Sequence, residues 1–337
     1  MGTGNKPEGG LLIFYITDGG RRLAEKITKG FPGSEILKYN AGSFARKWAS
    51  SGNIVCIMAT GIVVRTIAPL LKDKRTDPAV VVLDEKGQYV ISLVSGHIGG
   101  ANRLAEKIAA HLGARAVITT ASDVQGRVAL DVWAKDEGLY VEDFERLKQL
   151  SARIVNGKKI KIMIDAPLDR FGLPGEFIQA GSVREAQLVV SCRLYKKEAA
   201  YLRPKVLSVG IGCNRGTGKD EIEDVLSGIF ERERLSLHSI RNLATIDLKR
   251  DEKGLLEFAR DKGLDIAYFT KDELNSASAE HDIKGSAAVK AATGAGAVAE
   301  PSAILAAEKE FGRASIIIPK QKRGNVTLAI AKAEFML

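Results

Sequence analysis

A single histidine set among glycines is the first feature of this sequence that could do chemistry. Ser92 to Arg103 reads Ser-Leu-Val-Ser-Gly-His-Ile-Gly-Gly-Ala-Asn-Arg. An imidazole titrates near neutral pH, so His97 could act as a general base or hold a substrate group. Gly96, Gly99 and Gly100 would let the backbone come close to a ligand and aim N–H groups at an anion. Ser95 and Asn102 add a hydroxyl and an amide. A lone loop histidine can equally be structural, so its neighbours matter. Ile118 to Asp123 (Ile-Thr-Thr-Ala-Ser-Asp) offers Thr119 and Thr120 as substrate contacts, and Asp123 as a carboxylate near the imidazole. Thr60-Gly61 follows a further strand. Thr60 is expected to cap a helix, and Arg65, one turn on, would reach a carboxylate held there. Three such loops are expected on one sheet edge.

Other chemistries find little support. Gly210-Ile-Gly-Cys-Asn-Arg-Gly216 follows a strand, but its third glycine comes one residue late for a dinucleotide fingerprint. The phosphate-loop pattern fails too, because Asp220 follows Gly218-Lys219. What remains is an anion-friendly turn with Arg215 beside it, or a tight turn with Arg215 in solvent. His111, His238 and His281 pair with no second ligand at metal spacing, so no protein-bound metal is expected. There is no Gly-x-Ser-x-Gly elbow for a nucleophilic serine. Cys56, Cys192 and Cys213 are far apart, as in a reducing, cytoplasmic setting.

The elements that would position these residues alternate between strand and helix. Leu11–Ile16, Ile36–Tyr39 and the wholly apolar Ile54–Met58 read as strands separated by helices. Ala79–Leu83 and Tyr89–Val94 flank the turn Glu85-Lys86-Gly87-Gln88 and read as a hairpin. Leu104, Ile108 and Leu112 recur at helical spacing after the histidine loop. The sequence therefore predicts an α/β chain: an open, mostly parallel sheet with a hairpin at one edge over 1–138, a small α/β module over 139–204, and a second α/β domain over 205–337. Charged Tyr195–Pro204 reads as a linker, and a helix near Ser286–Ala292 is expected within the Gly/Ala/Ser-rich stretch 276–299.

The 337 residues are 45% hydrophobic and 27% charged, with a formal net charge of +9. The first 134 residues hold 17 Lys and Arg against 11 Asp and Glu, whereas residues 206–337 hold 19 against 20. Scattered basic residues and only 6% aromatics argue against a nucleic-acid platform. They suit an acidic small molecule better. No apolar run is long enough for a membrane span.

Together these motifs resemble a known family. Thr60-Gly-Ile-Val-Val-Arg65, Asp77-Pro-Ala-Val-Val81, Ser95-Gly-His-Ile-Gly-Gly-Ala-Asn102 and Ile118-Thr-Thr-Ala-Ser-Asp123 look like the amino-terminal part of the cobalt-precorrin-5A hydrolases, the CbiG family of anaerobic cobalamin biosynthesis. Gly210–Gly216, Ala244-Thr-Ile-Asp247 with Lys249, Val298-Ala-Glu-Pro301 and Val326–Ala331 resemble its carboxy-terminal part. The resemblance implies a hydrolase that opens the δ-lactone of an acidic cobalt-containing tetrapyrrole and expels acetaldehyde. The cobalt would belong to the substrate, with no cofactor on the protein. On that basis His97, oriented by Asp123, would activate water, and the N–H groups of Gly99 and Gly100 would hold the oxyanion. Thr60, Arg65 and Arg215 would anchor carboxylates. Glu300 is a second acid/base candidate that the sequence does not rank against His97. A non-catalytic carrier of the same macrocycle, or a nucleotide-dependent enzyme using the Gly210–Gly218 turn, stays open, as do a homodimer and contacts with neighbouring pathway enzymes.

Overall fold

The computed structural model describes residues 10–73, 76–97, 99–165 and 173–334, without the side chains of 310 and 311. Ile98, inside the histidine loop, lies outside the described residues. Contacts divide the chain into two compact units: residues 1–135 with 151–158, and residues 136–150 with 159–337. Among the described residues there are three sheets, one in the first unit and two in the second.

The first unit contains β1 (Leu12–Tyr15), α1 (Asp18–Thr28), β2 (Glu35–Lys38), α2 (Ala41–Trp48), β3 (Asn53–Ile57), α3 (Thr60–Ile67), β4 (Ala79–Leu83), β5 (Tyr89–Val94), α4 (Ala101–Leu112), β6 (Arg115–Val117) and α5 (Ala121–Val124), before α6 (Leu130–Asp136). Its strand order is β2-β1-β3-β4-β5-β6. Alternate residues of each buried strand serve opposite faces. Ile13, Val55 and Val81 pack with α1 and α4, through Ile27, Ala105 and Ile108. Phe14, Cys56 and Val82 pack with α2 and α3, through Phe44, Trp48, Val63 and Ile67. Cys56 is fully buried, and burial raises its thiol pKa, as suits a small core residue.

Strand direction decides where the candidate residues go. β1 to β4 are mutually parallel, β5 runs antiparallel to β4, and β6 runs parallel to β5. The hairpin is thus present but not at the edge, since β6 pairs outside it. Val94, the last residue of β5, pairs with Val80 near the start of β4. The carboxyl ends of β5 and β6 therefore lie at the edge where β1, β3 and β4 begin.

In the second unit come β7 (Leu139–Val141), α7 (Phe144–Val155), which runs across the boundary between units, β8 (Ile160–Ile164), β9 (Phe177–Gln179), β10 (Leu188–Val190) and β11 (Ala200–Pro204). Their sheet has the order β7-β11-β10-β8-β9. The expected linker is a correction: its last residues form β11, an internal strand. Its charge misled because Arg203 is only 1% exposed yet well partnered. The guanidinium donates to Glu142 and to the carbonyls of Ser191 and Arg193, so its burial is compensated.

The chain ends with β12 (Leu207–Cys213), α8 (Lys219–Arg232), β13 (Ile240–Ile246), α9 (Lys253–Lys262), β14 (Asp265–Phe269), α10 (Lys271–Glu280), α11 (Ala287–Thr293), α12 (Ala299–Phe311), β15 (Arg313–Arg323) and β16 (Val326–Glu334). These strands order as β14-β13-β12-β16-β15. The helix expected near Ser286–Ala292 is α11. Among the described residues, no helix is long and apolar enough to cross a membrane.

Candidate active site

The histidine loop is a tight turn folded onto the start of α4. Ser95 has φ 59° and Gly100 has φ 89°, both in the left-handed region. A Cβ on Gly99 would meet Ser95 Cβ at 2.4 Å and the Ser95 carbonyl oxygen at 2.7 Å, so only glycine fits there. The turn consumes the donors that sequence reasoning offered to an anion. Gly100, Ala101 and Asn102 N–H groups donate to the carbonyls of His97 (2.9 Å), Ser95 (3.1 Å) and Gly96 (3.0 Å). The oxyanion role expected of Gly100 is accordingly corrected: its N–H is spent inside the loop. Ser95 Oγ donates to the Asp77 carbonyl at 3.2 Å, tying the loop to the start of β4.

The side chains, not the backbone, carry the polar atoms at this edge. Asn102 is 7% exposed and acts as a hub. Its Oδ1 accepts from Ser92 Oγ at 2.6 Å, while its Nδ2 donates to Asp123 Oδ2 at 2.9 Å and to Thr120 Oγ1 at 3.3 Å. Expected as a substrate contact, Asn102 is a buried strut joining β5 to the loop after β6. Asp123 Oδ2 lies 3.5 Å from His97 Nε2, and Ser122 Oγ lies 3.3 Å from the same nitrogen. The side chain of His97 is 22% exposed and that of Asp123 is 37% exposed, so both can meet a ligand. Thr119, in the same loop after β6, is exposed. Sequence reasoning missed Ser122 and Ser92 as individuals; nothing in their spacing marks them, and only the fold turns them inward.

Thr60, Gly61 and Arg65 sit elsewhere. They follow β3, whose carboxyl end is at the opposite edge of the sheet from His97, so the expected single edge is corrected. Thr60 is not the cap either. Ile62 and Val63 donate to the Ala59 carbonyl, which makes Ala59 the capping position, without a side-chain bond. Arg65 does fold back over the helix start: a Cβ on Gly61 would lie 3.6 Å from both its terminal nitrogens. A cavity of about 460 Å³ opens at this edge, lined among others by Thr17, Met58, Thr60, Asp84, Glu85 and Tyr89.

Arg215 and Glu300 belong to the second unit, where their partners are on the protein. Arg215 donates to Asp251 and to the Leu248 carbonyl (2.9 Å), and its hydrogen bond holds the Asp251 carboxyl below the usual range. In the turn itself, Gly216 N–H donates to Glu252 Oε1 at 2.8 Å, and buried Glu252 pairs with Lys249 at 3.1 Å. A carboxylate of the chain thus occupies the place expected for an anion. Gly210 is a packing glycine, for a Cβ there would come within 1.8 Å of the Ala299 carbonyl oxygen. That leaves the nucleotide alternative without a phosphate cradle. Glu300, in the first turn of α12, accepts from Lys320 N–H at 3.2 Å. Among the described residues, no three His, Cys, Asp or Glu are grouped as for a metal ion.

Relatives place this architecture. The chain is 42% identical over 329 residues, 91% of its length and 86% of the relative's, to the cobalt-precorrin-5A hydrolase of Priestia megaterium. It belongs to the CbiG family. The three CbiG models match in order: cobalamin synthesis G N-terminal over 43–123, cobalamin biosynthesis central region over 128–204, and cobalamin synthesis G C-terminus over 207–331. The cobalt-precorrin-5A hydrolase of Salmonella typhimurium is 33% identical over 332 residues, covering 91% of this chain and 94% of that one. A solved cobalamin biosynthesis protein G homolog from Sulfolobus solfataricus aligns over 96% of this chain and 97% of its own, with 23% identity and a TM-score of 0.41. The CbiG N-terminal match contains His97 and ends at Asp123.

Proposed function

We propose that this CbiG chain is a cobalt-precorrin-5A hydrolase whose reacting groups are those of the His97–Asp123 edge. The carrying observation is the 42% identity to a protein of that name across 91% of the chain. In support, the first unit's edge presents an accessible imidazole against a carboxylate, which is what lactone opening calls for. His97 takes a proton from water as its oxygen bonds to the lactone carbonyl carbon. The carbonyl electron pair returns, the ring C–O bond breaks, and the departing alkoxide takes the proton back from His97. Deprotonating the freed hydroxyl then breaks the adjacent carbon–carbon bond. Acetaldehyde leaves, and the macrocycle takes up the electron pair and a proton.

Asp123 orients His97 and stabilises its cationic form, itself held by Asn102. Gly99, Ser95, Thr119 and Thr120 line the approach. Cobalt arrives with the substrate, and no cofactor resident on the protein takes part. The basic first unit draws in the acidic macrocycle. The test is to supply cobalt-precorrin-5A anaerobically and assay acetaldehyde. Stoichiometric acetaldehyde is expected. Substrate bound but returned unchanged would favour a carrier instead.

A further inference from the structure

His97 is held from one side of its ring. Among the described residues, the two side-chain oxygens near the ring, Ser122 Oγ at 3.3 Å and Asp123 Oδ2 at 3.5 Å, both face Nε2. Only the carboxylate discriminates between the two neutral tautomers, since a hydroxyl can accept from Nε2–H or donate to a bare Nε2. An ionised carboxylate oxygen can only accept, so a bare Nε2 would set lone pair against lone pair. With hydrogen on Nε2, the same contact is attractive, while Ser122 Oγ holds that edge of the ring in either form. Asn102 fixes Asp123 in this role. Its Oδ1 receives the Ser92 hydroxyl at 2.6 Å, which leaves Nδ2 to donate to Asp123 Oδ2 at 2.9 Å. Ser122 is 7% exposed, so it has little freedom to move away or to meet substrate itself.

We propose that Nδ1 is the working base of His97, that Asp123, held by Asn102, keeps the ring as its Nε2–H tautomer, and that Ser122 is a positioning residue that fixes the ring's orientation. The catalytic consequence rests on the hydrolase function proposed above; the tautomer is a property of the free protein. In each half of the reaction the proton moves to Nδ1 and then off it. The imidazolium formed in between keeps its Nε2–H directed at the Asp123 carboxylate, a contact that strengthens as the ring becomes charged.

The test is ¹⁵N NMR of the full chain labelled at histidine, at a pH where the ring is neutral. The His97 signals are identified by their loss in His97→Gln. Nε2 is expected to resonate as the protonated nitrogen and Nδ1 as the bare one. In Ser122→Ala the ring loses one of its two Nε2 contacts while Asp123 still sets the tautomer, so the Nε2–H form is retained. Acetaldehyde-forming kcat then falls on the order of tenfold, the equivalent of one hydrogen bond, with KM unchanged. Ser122→Thr keeps the oxygen and restores kcat. In Asp123→Leu the carboxylate is gone, the Ser122 hydroxyl can donate to a bare Nε2, and the population shifts towards Nδ1–H. A protonated Nδ1 in the unaltered protein would overturn the assignment. An unchanged kcat in Ser122→Ala would overturn the part given to Ser122, and an unchanged tautomer ratio in Asp123→Leu the part given to Asp123. The expected tautomer in a protein that yields no acetaldehyde would leave this assignment standing and sink the hydrolase function instead.

Discussion

The two edges of the first unit's sheet look alike in sequence and differ in what they leave over. Each has a strand running through glycine into a helix. At the His97 edge the turn uses up the N–H groups of Gly100, Ala101 and Asn102, and imidazole, carboxylate, amide and hydroxyl groups form a chain of contacts above it. At the Thr60 edge the helix starts on Ala59 without a side-chain cap. A glycine-rich strand end is therefore not by itself an anion site. What the backbone donors already bond to decides the matter. The first edge is built to hold a titratable ring in one pose, the second to leave a cavity whose rim includes two carboxylates, Asp84 and Glu85.

The largest contrast should come from removing the ring. His97→Ala is expected to lower acetaldehyde-forming kcat by about 10²–10⁴-fold, the usual range for a positioned acid/base, whereas Arg65→Ala leaves kcat unchanged. Equal losses from the two variants would erase the distinction between the edges.

Glycine substitutions sharpen it next. Gly99→Ala drives a Cβ into Ser95 at 2.4 Å, so the loop must shift and His97 with it; kcat and thermal midpoint should both fall. Gly61→Ala meets only ordinary contacts at 3.6 Å and sits in a helix, where alanine is favoured by about 0.5–1 kcal/mol. It should leave activity alone and raise the thermal midpoint slightly.

Strand direction explains most of what the sequence did and did not make legible. Ile54–Met58 and Ala79–Leu83 are recognisable as buried strands because they are apolar throughout, and the Glu85–Gln88 turn marks the hairpin. That hairpin already implies that β5 runs against β4, which sends His97 to the edge opposite Thr60. Reading each strand end as a local motif hides this consequence. Arg203 hid a strand because the partners that allow its burial, Glu142 and two carbonyls, are distant or non-adjacent in sequence. The pairing of His97 with Asp123 was within reach of motif reading. The places of Ser122 and Asn102 were not, for they depend on how α4 and α5 pack.

Smaller effects follow. Asn102→Ala strands the Ser92 hydroxyl and takes a donor from Asp123, costing about 1–3 kcal/mol in denaturant unfolding. It should lower kcat more than it raises KM, as suits a strut rather than a substrate contact. The smallest effect belongs to Arg215→Ala in the second unit. Its exposed pair with Asp251 contributes little, so stability and kcat should both stay near those of the unaltered protein. The Asp251 carboxyl, no longer held down by the guanidinium, should titrate at higher pH, visible by NMR.

The most direct measurement is a crystal structure of the His97→Asn variant with cobalt-precorrin-5A bound. The lactone carbonyl should lie one water molecule away from residue 97, on the side away from Ser122 and Asp123. A macrocycle seated instead in the cavity beside Thr60 and Glu85 would contradict the placement of the reaction at the histidine edge.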